Sequence, residues 1–199
     1  MTRVVIDWAA ASRPRPGEAA SGDRYLVAVA GDGALVAAVD GLGHGPEAAR
    51  AADLAIRTLE AHAALPLPDL VERCHHLLQR TRGAALSLAR WDGARRSLDW
   101  IGVGNVEGLV LQPSAGSGIA ATRLLLRSGL VGVHLPTLRV EAVEVPVEGR
   151  LIFATDGIAS DFDEGLDLRE PVKTMADQIL ARSLKSADDA MVVVARLAW

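Results

Sequence analysis

DRYLVAVAGDGALVAAVDG, residues 23–41, reads as two apolar strands folded about a glycine-rich turn. Arg24–Ala30 and Ala34–Val39 are the strands and Gly31-Asp32-Gly33 is the turn, a composition typical of hairpins. Counted from Asp32, Asp23 lies nine residues before and Gly41 nine after, so Asp23 is expected to face Asp40 and Gly41 across the pair. Two further aspartates flank apolar runs: Asp156 follows Leu151–Thr155 and Asp188 precedes Met191–Ala195. In antiparallel sheets the end of one strand lies beside the start of the next, so all four can share one edge. Four carboxylates gathered there repel each other unless cations lie between them. A hard divalent-metal site is the first expectation.

Outward from the hairpin, the chain alternates strands with a few helices. Val4–Ala10 reads as a strand and Ser12–Gly22 as a loop. Pro46–Ala63 is Ala-rich and opens on Gly45-Pro46, a helix start. Pro68–Arg82 is a second helix with the apolar stripe Leu70, Val71, Cys74, Leu77 and Leu78. Ala84–Trp91 and Ser97–Gly102 form a hairpin about Asp92-Gly93, and Gly104–Leu111 follows as a strand. Gln112–Ala121 is a small-residue loop, and Leu124–Leu126, Leu138–Val145 and Arg150–Thr155 are further strands. Pro171–Leu184 is the third helix and Met191–Leu197 the last strand. Strands joined by short turns imply antiparallel sheets. The expected fold class is α+β, a sandwich with helices outside, formed as one domain over residues 1–199.

Composition narrows the function. A hydrophobic fraction of 50% excludes a disordered chain. A formal charge of -4 and scattered arginines argue against a nucleic-acid partner. One cysteine, Cys74, permits no intrachain disulfide and suits a reducing compartment. Met1–Ala11 is too short and polar for a signal peptide, and no apolar run reaches the roughly 18–20 residues of a membrane helix. A cytoplasmic protein with no membrane partner is expected.

Carboxylate oxygens suit Mg²⁺ or Mn²⁺ rather than zinc. Glycine after Asp40 leaves its own carbonyl open to an ion. Two ions roughly 3.5–4 Å apart can hold a bridging water and grip a phosphate, which predicts phosphoester hydrolysis without a covalent enzyme intermediate. Other polar residues read as structural. Asp32 and Asp92 form turns, and Asp161 and Asp163 belong to a solvated loop. His75 and His76 are adjacent on a helix and point about 100° apart, so they do not share an ion. Cys74 sits on the apolar stripe, and Trp8, Trp91, Trp100 and Trp199 read as packing. His44 is the histidine nearest the aspartates, placed for proton transfer or for holding the local loop.

SGD (21–23), VDGLGHG (39–45), FATDGI (153–158) and DDAMVVVAR (188–196), in this order, resemble the metal-dependent protein phosphatase (PPM) family in its SpoIIE-like branch. GVGNVEGLVL (102–111) and GLVGVHLP (129–136) are most similar to its RsbX-like members, short phosphatases acting on phosphorylated STAS-domain proteins of the stressosome. The resemblance runs from about residue 21 to residue 197. It implies an αββα sandwich of two antiparallel sheets and a serine/threonine phosphoprotein phosphatase with two divalent cations, Mn²⁺ or Mg²⁺. It implies that Asp40 bridges both ions and acts through a metal-bridging water, and that the Gly41 carbonyl binds one ion. Asp156 and Asp188 would hold the first ion, and Asp23 the second, directly or through water. Asp189 would be a supporting neighbour. The implied partners are phosphorylated STAS-domain proteins of the RsbR/RsbS-like stressosome scaffold.

The match has departures. Leu42 stands where many eukaryotic members carry a general-acid histidine, with His44 two residues on. Asn105 stands where other SpoIIE-like members often have histidine. Arg24 and Arg13 are the phosphate-clamp candidates by proximity alone. The alternatives are a docking module of the same fold without turnover and a small-molecule phosphohydrolase. Substrate choice is expected from the Gly43–Arg50, Ser114–Thr122 and Ser160–Glu170 surfaces, the last acidic through Asp161, Asp163, Glu164 and Asp167. That loop is expected to disfavour acidic peptides.

Overall fold

The structure, a computed structural model, describes residues 6–30, 33–114, 118–145, 148–185 and 187–198. The Gly31-Asp32 turn, Val4 and Val5 of the first expected strand, and Trp199 lie outside the described residues. The elements are β1 (Asp7–Arg13), β2 (Asp23–Ala30), β3 (Gly33–Gly41), α1 (Gly45–Ala61), α2 (Leu67–Leu78), β4 (Ala84–Asp92), β5 (Ser97–Val103), β6 (Glu107–Pro113), β7 (Ile119–Arg123), β8 (Glu141–Glu144), β9 (Gly149–Ala154), α3 (Val172–Ser183) and β10 (Ala190–Leu197). They form two five-stranded sheets, ordered β1-β10-β9-β6-β7 and β2-β3-β4-β5-β8. Among the described residues every strand-to-strand ladder in these sheets is antiparallel. The expected αββα sandwich is what the chain forms.

Period-two alternation builds the layers. Along β3, Ala34, Val36 and Ala38 face the second sheet, while Leu35, Ala37 and Val39 face α1 and α2. Along β10, Met191, Val193 and Ala195 face inward between the sheets, and Ala190, Val192 and Val194 face α3. Trp91, Trp100 and Phe153 fill the inter-sheet layer. Alanines 48, 51, 52 and 55 line the buried side of α1 and let it approach the sheet closely.

Several expectations shift. The first strand runs on to Arg13, so the loop before β2 is shorter than Ser12–Gly22. The second helix ends at Leu78, and Leu77 stands 51% exposed rather than on the buried stripe. The expected Gln112–Ala121 loop contains the end of β6 and the start of β7, a strand whose residues are all exposed. Trp8 of β1 packs across the sheets against Tyr25 of β2, ring centres 5.4 Å apart, both partly exposed. Cys74 is buried, and burial pushes its thiol up to about 12. His75 accepts a hydrogen bond from the Gly132 N–H at 3.0 Å, and His76 is exposed, so neither competes for a metal role.

Candidate metal centre

Asp23 and Asp40 are directly opposed in the β2–β3 ladder. Ala30 pairs with Gly33, so the hairpin centre falls between Gly31 and Asp32, half a residue before the expected Asp32. Asp23 therefore faces Asp40 alone, with Gly41 one step beyond. Parity then orients them. Asp40 continues the Ala34–Val36–Ala38 row and points toward the second sheet. Gly41 falls on the α1 face, where an added Cβ would lie 2.2 Å from the Ala48 carbonyl oxygen. The glycine after Asp40 is thus required by helix packing, independently of any ion.

The second sheet meets them at its own rim. Thr155 follows β9, and its hydroxyl donates to Asp23 Oδ2 at 2.8 Å while accepting from the Met191 N–H at 2.9 Å. This bond links the two sheets at the site. Asp156 comes next and is exposed; its Oδ2 accepts from Asn105 Nδ2 at 2.7 Å. Lys185 Nζ donates to the Asp156 carbonyl at 2.8 Å. Gly157 is forced as Gly41 is, since a Cβ there would sit 2.0 Å from the Asp189 carbonyl oxygen. Asp188 is half-buried, and its Oδ1 accepts from the Asp189 N–H at 2.9 Å. Asp189 is buried, and its oxygens accept from the Arg15 and Gly22 N–H groups, each at 2.8 Å. It organises the loop that delivers Asp23.

A cleft of about 180 Å³ opens where Asp40, Asp156 and Asp188 converge, walled by Arg15, Leu42, His44, Asn105 and Leu130. Burial, then the charges of Asp23, Asp156, Asp188 and Asp189, pushes the Asp40 carboxyl up to about 8. Burial likewise raises Asp23 to about 7, against the Thr155 hydrogen bond that favours its charged form. Asp156 is raised by burial and by Asp188, opposed by Lys185 and Asn105.

Arg24 is not available as a phosphate clamp. Its Nε donates to Asp53 of α1 at 2.6 Å, and its NH1 to the Ser21 and Asp23 carbonyls. Asp53 faces it from a helix remote in sequence, a contact no spacing rule reveals. Sequence reading also passed over Arg15, Lys185, Thr155 and Glu18. Glu18 Oε1 lies 2.6 Å from His44 Nδ1, which fixes a proton on that nitrogen and leaves Nε2 free.

Among the described residues, no three His, Cys, Asp or Glu side chains are already gathered tightly enough to hold an ion. The donor chemistry nevertheless fits one. The carboxylates share a polar cleft, and burial and mutual repulsion oppose their ionisation, a cost that a hard divalent cation would offset.

The family model described as Stage II sporulation protein E (SpoIIE) matches residues 30–198. Phosphoserine phosphatase RsbX of Bacillus subtilis (strain 168) is 23% identical over 185 residues, 92% of this chain and 90% of its own. A chain solved in work on the bacterial stressosome, as a modular system adapted to control secondary messenger signaling, is 30% identical. It superposes with a TM-score of 0.84 over 96% of this chain and 100% of its own. RsbX in complex with magnesium is 21% identical, with a TM-score of 0.86 over 97% of this chain and 96% of its own. The family model spans Asp40, Asp156 and Asp188 within residues 30–198, and the chain belongs to the SpoIIE family of the metal-dependent protein phosphatase fold.

Proposed function

We propose that this chain is a metal-dependent serine/threonine phosphoprotein phosphatase, RsbX-like, that acts in the cytoplasm as a single domain on phosphorylated STAS-domain proteins of a stressosome. The observation that carries it is Asp40, with Asp23 paired behind it on the same sheet, meeting Asp156 and Asp188 from the other side in one polar cleft. Kinship with RsbX supports the substrate class.

In this reading Asp40 and the Gly41 carbonyl hold cations from the first sheet, Asp156 and Asp188 from the second, with Asp23 behind Asp40. Mg²⁺ or Mn²⁺, when bound, supplies Lewis acidity and a water acidic enough to attack phosphorus at neutral pH. Asn105 orients Asp156 through its 2.7 Å hydrogen bond. Arg15 stands in the cleft wall, placed to face a phosphate. Glu18 holds the His44 ring by Nδ1, so that Nε2 of the imidazolium form is the nitrogen that can hand its proton to the departing serine or threonine oxygen, leaving the neutral ring.

The test is turnover of a phosphorylated STAS-domain protein and of a chromogenic phosphoester, each with Mn²⁺, with Mg²⁺ and after chelation. Metal-dependent release from both, faster from the protein, is expected. Full activity after exhaustive metal stripping would overturn the metal reading. Activity on the small ester alone would point to a small-molecule phosphohydrolase, and binding without turnover to a docking module.

A further inference from the structure

We propose that the strap Arg13-Pro14-Arg15-Pro16, with Lys185, forms a basic edge to the cleft that selects phosphosites flanked by an acidic side chain of the substrate protein. This rests on the phosphatase reading above. Arg13 ends β1 opposite Ala190, so it lies beside the start of β10, immediately after Asp188 and Asp189. Pro14 and Pro16 each fix the backbone φ at alternate positions. The strap is also pinned at its middle. The Arg15 N–H donates to buried Asp189 at 2.8 Å, and the Arg15 carbonyl accepts from Glu18 N–H at 3.0 Å. Lys185 is fixed from the other side, its N–H on the Gly157 carbonyl at 2.7 Å and its Nζ on the Asp156 carbonyl at 2.8 Å.

Asp188 divides the two halves of this edge. Arg15 walls the main cleft with it, while Arg13 and Lys185 share a notch of about 50 Å³ on its outer side. Neither Arg13 nor Arg15 makes an ion pair among the described residues. A protein of net charge -4 thus holds two arginines and a lysine along this edge of its carboxylate cleft. Because the strap is already ordered, a ligand carboxylate meets it at little conformational cost, and guanidinium matches carboxylate in two-pronged geometry.

The acidic Ser160–Glu170 loop does not cancel this edge as its composition suggests. Asp163 is engaged by Arg123 at 2.5 Å and Asp167 by Arg169 at 2.6 Å, leaving Asp161 and Glu164 exposed. Beside Asp188 the edge presents Arg13, Arg15 and Lys185, cations that the composition of the loop does not disclose.

The experiment uses phosphoserine peptides that carry Glu or Lys at one position within three residues of the phosphoserine, otherwise identical. The readout is the Glu/Lys ratio of kcat/KM in Mn²⁺ at low salt, with a chromogenic phosphoester as the activity control. The wild-type chain should favour Glu at one or more positions by about five-fold, the size of an exposed ion pair, and the preference should shrink in 0.5 M salt. Arg13→Ala should bring the ratio toward one and Arg13→Glu should invert it; a ratio is insensitive to any general loss of activity. A wild-type ratio near one at every position, or an Arg13→Glu ratio equal to wild type, overturns the proposal while leaving the phosphatase reading intact. Absence of metal-dependent hydrolysis of both peptides and the chromogenic ester would overturn the phosphatase reading itself.

Discussion

The two sheets contribute to one cleft in different ways. Asp23 and Asp40 belong to a paired ladder, their spacing set by backbone hydrogen bonds, and burial raises them to about 7 and 8. Asp156 and Asp188 lie just outside strands, more exposed, and are positioned by neighbours: Asn105 on one, the Asp189 N–H on the other. Rigid placement concentrates electrostatic cost on the first pair, and dependence on partners falls on the second. Variants on either side should therefore fail differently.

The largest effect is expected from Asp40→Asn. Losing a carboxylate central to the cleft should lower turnover by more than the roughly 100-fold that a supporting residue can cost. The same change should raise the melting temperature of metal-free protein, because a buried, repelled charge is gone. Near-wild-type turnover with intact folding would refute the assignment, and Asp23→Asn should be milder.

Asn105→Ala tests the partner-held side. Activity or metal affinity should fall about 10-fold or more, since Asp156 loses its orienting donor. The melting temperature of the metal-free chain should barely move, in contrast to Asp40→Asn. Metal titration followed by calorimetry separates the affinity and rate contributions. An unchanged affinity together with an unchanged rate would remove Asn105 from the site.

Binding of Mn²⁺ at about 100 times its dissociation constant should stabilise the folded chain by about 2.7 kcal/mol, near 5–10 °C in melting temperature for this size. A flat melting curve across that titration would mean the aspartates do not converge on a cation.

A further effect concerns pH. Asp40 and Asp23 bind protons more tightly folded, at about 8 and 7, than at their ordinary 3.8. Between those values the folded chain holds more protons than the unfolded one, so their contribution to stability is full below about pH 3.8 and is lost as pH climbs toward 8. Denaturation of metal-free protein from pH 5 to pH 8 should show this decline, shallower in Asp40→Asn. An equal slope in both proteins would show that Asp40 is not its source.

Much of this was legible in the residues, for identifiable reasons. The β2–β3 register follows from a short turn between alternating runs, and it brought Asp23 opposite Asp40. β7 was missed because its five residues are all exposed and carry no alternation. Arg24 was misjudged because proximity to Asp23 in sequence says nothing of Asp53 across the fold. Arg15, Lys185 and Glu18 act from loops, and loops have no period to read. The Arg123 partner of Asp163 was not legible either, because it reaches the acidic loop from β7, about 40 residues earlier in the chain.

Gly41 and Gly157 carry a consequence for how such chains age. Each is held by a steric demand, the Ala48 carbonyl on one side and the Asp189 carbonyl on the other, that remains whether or not chemistry is performed. A descendant that abandoned catalysis could drift away from Asp40 and Asp156 and still fold, but would have to keep both glycines. In lineages of this fold, retired enzymes should be recognisable by orphaned glycines that have outlived their aspartates.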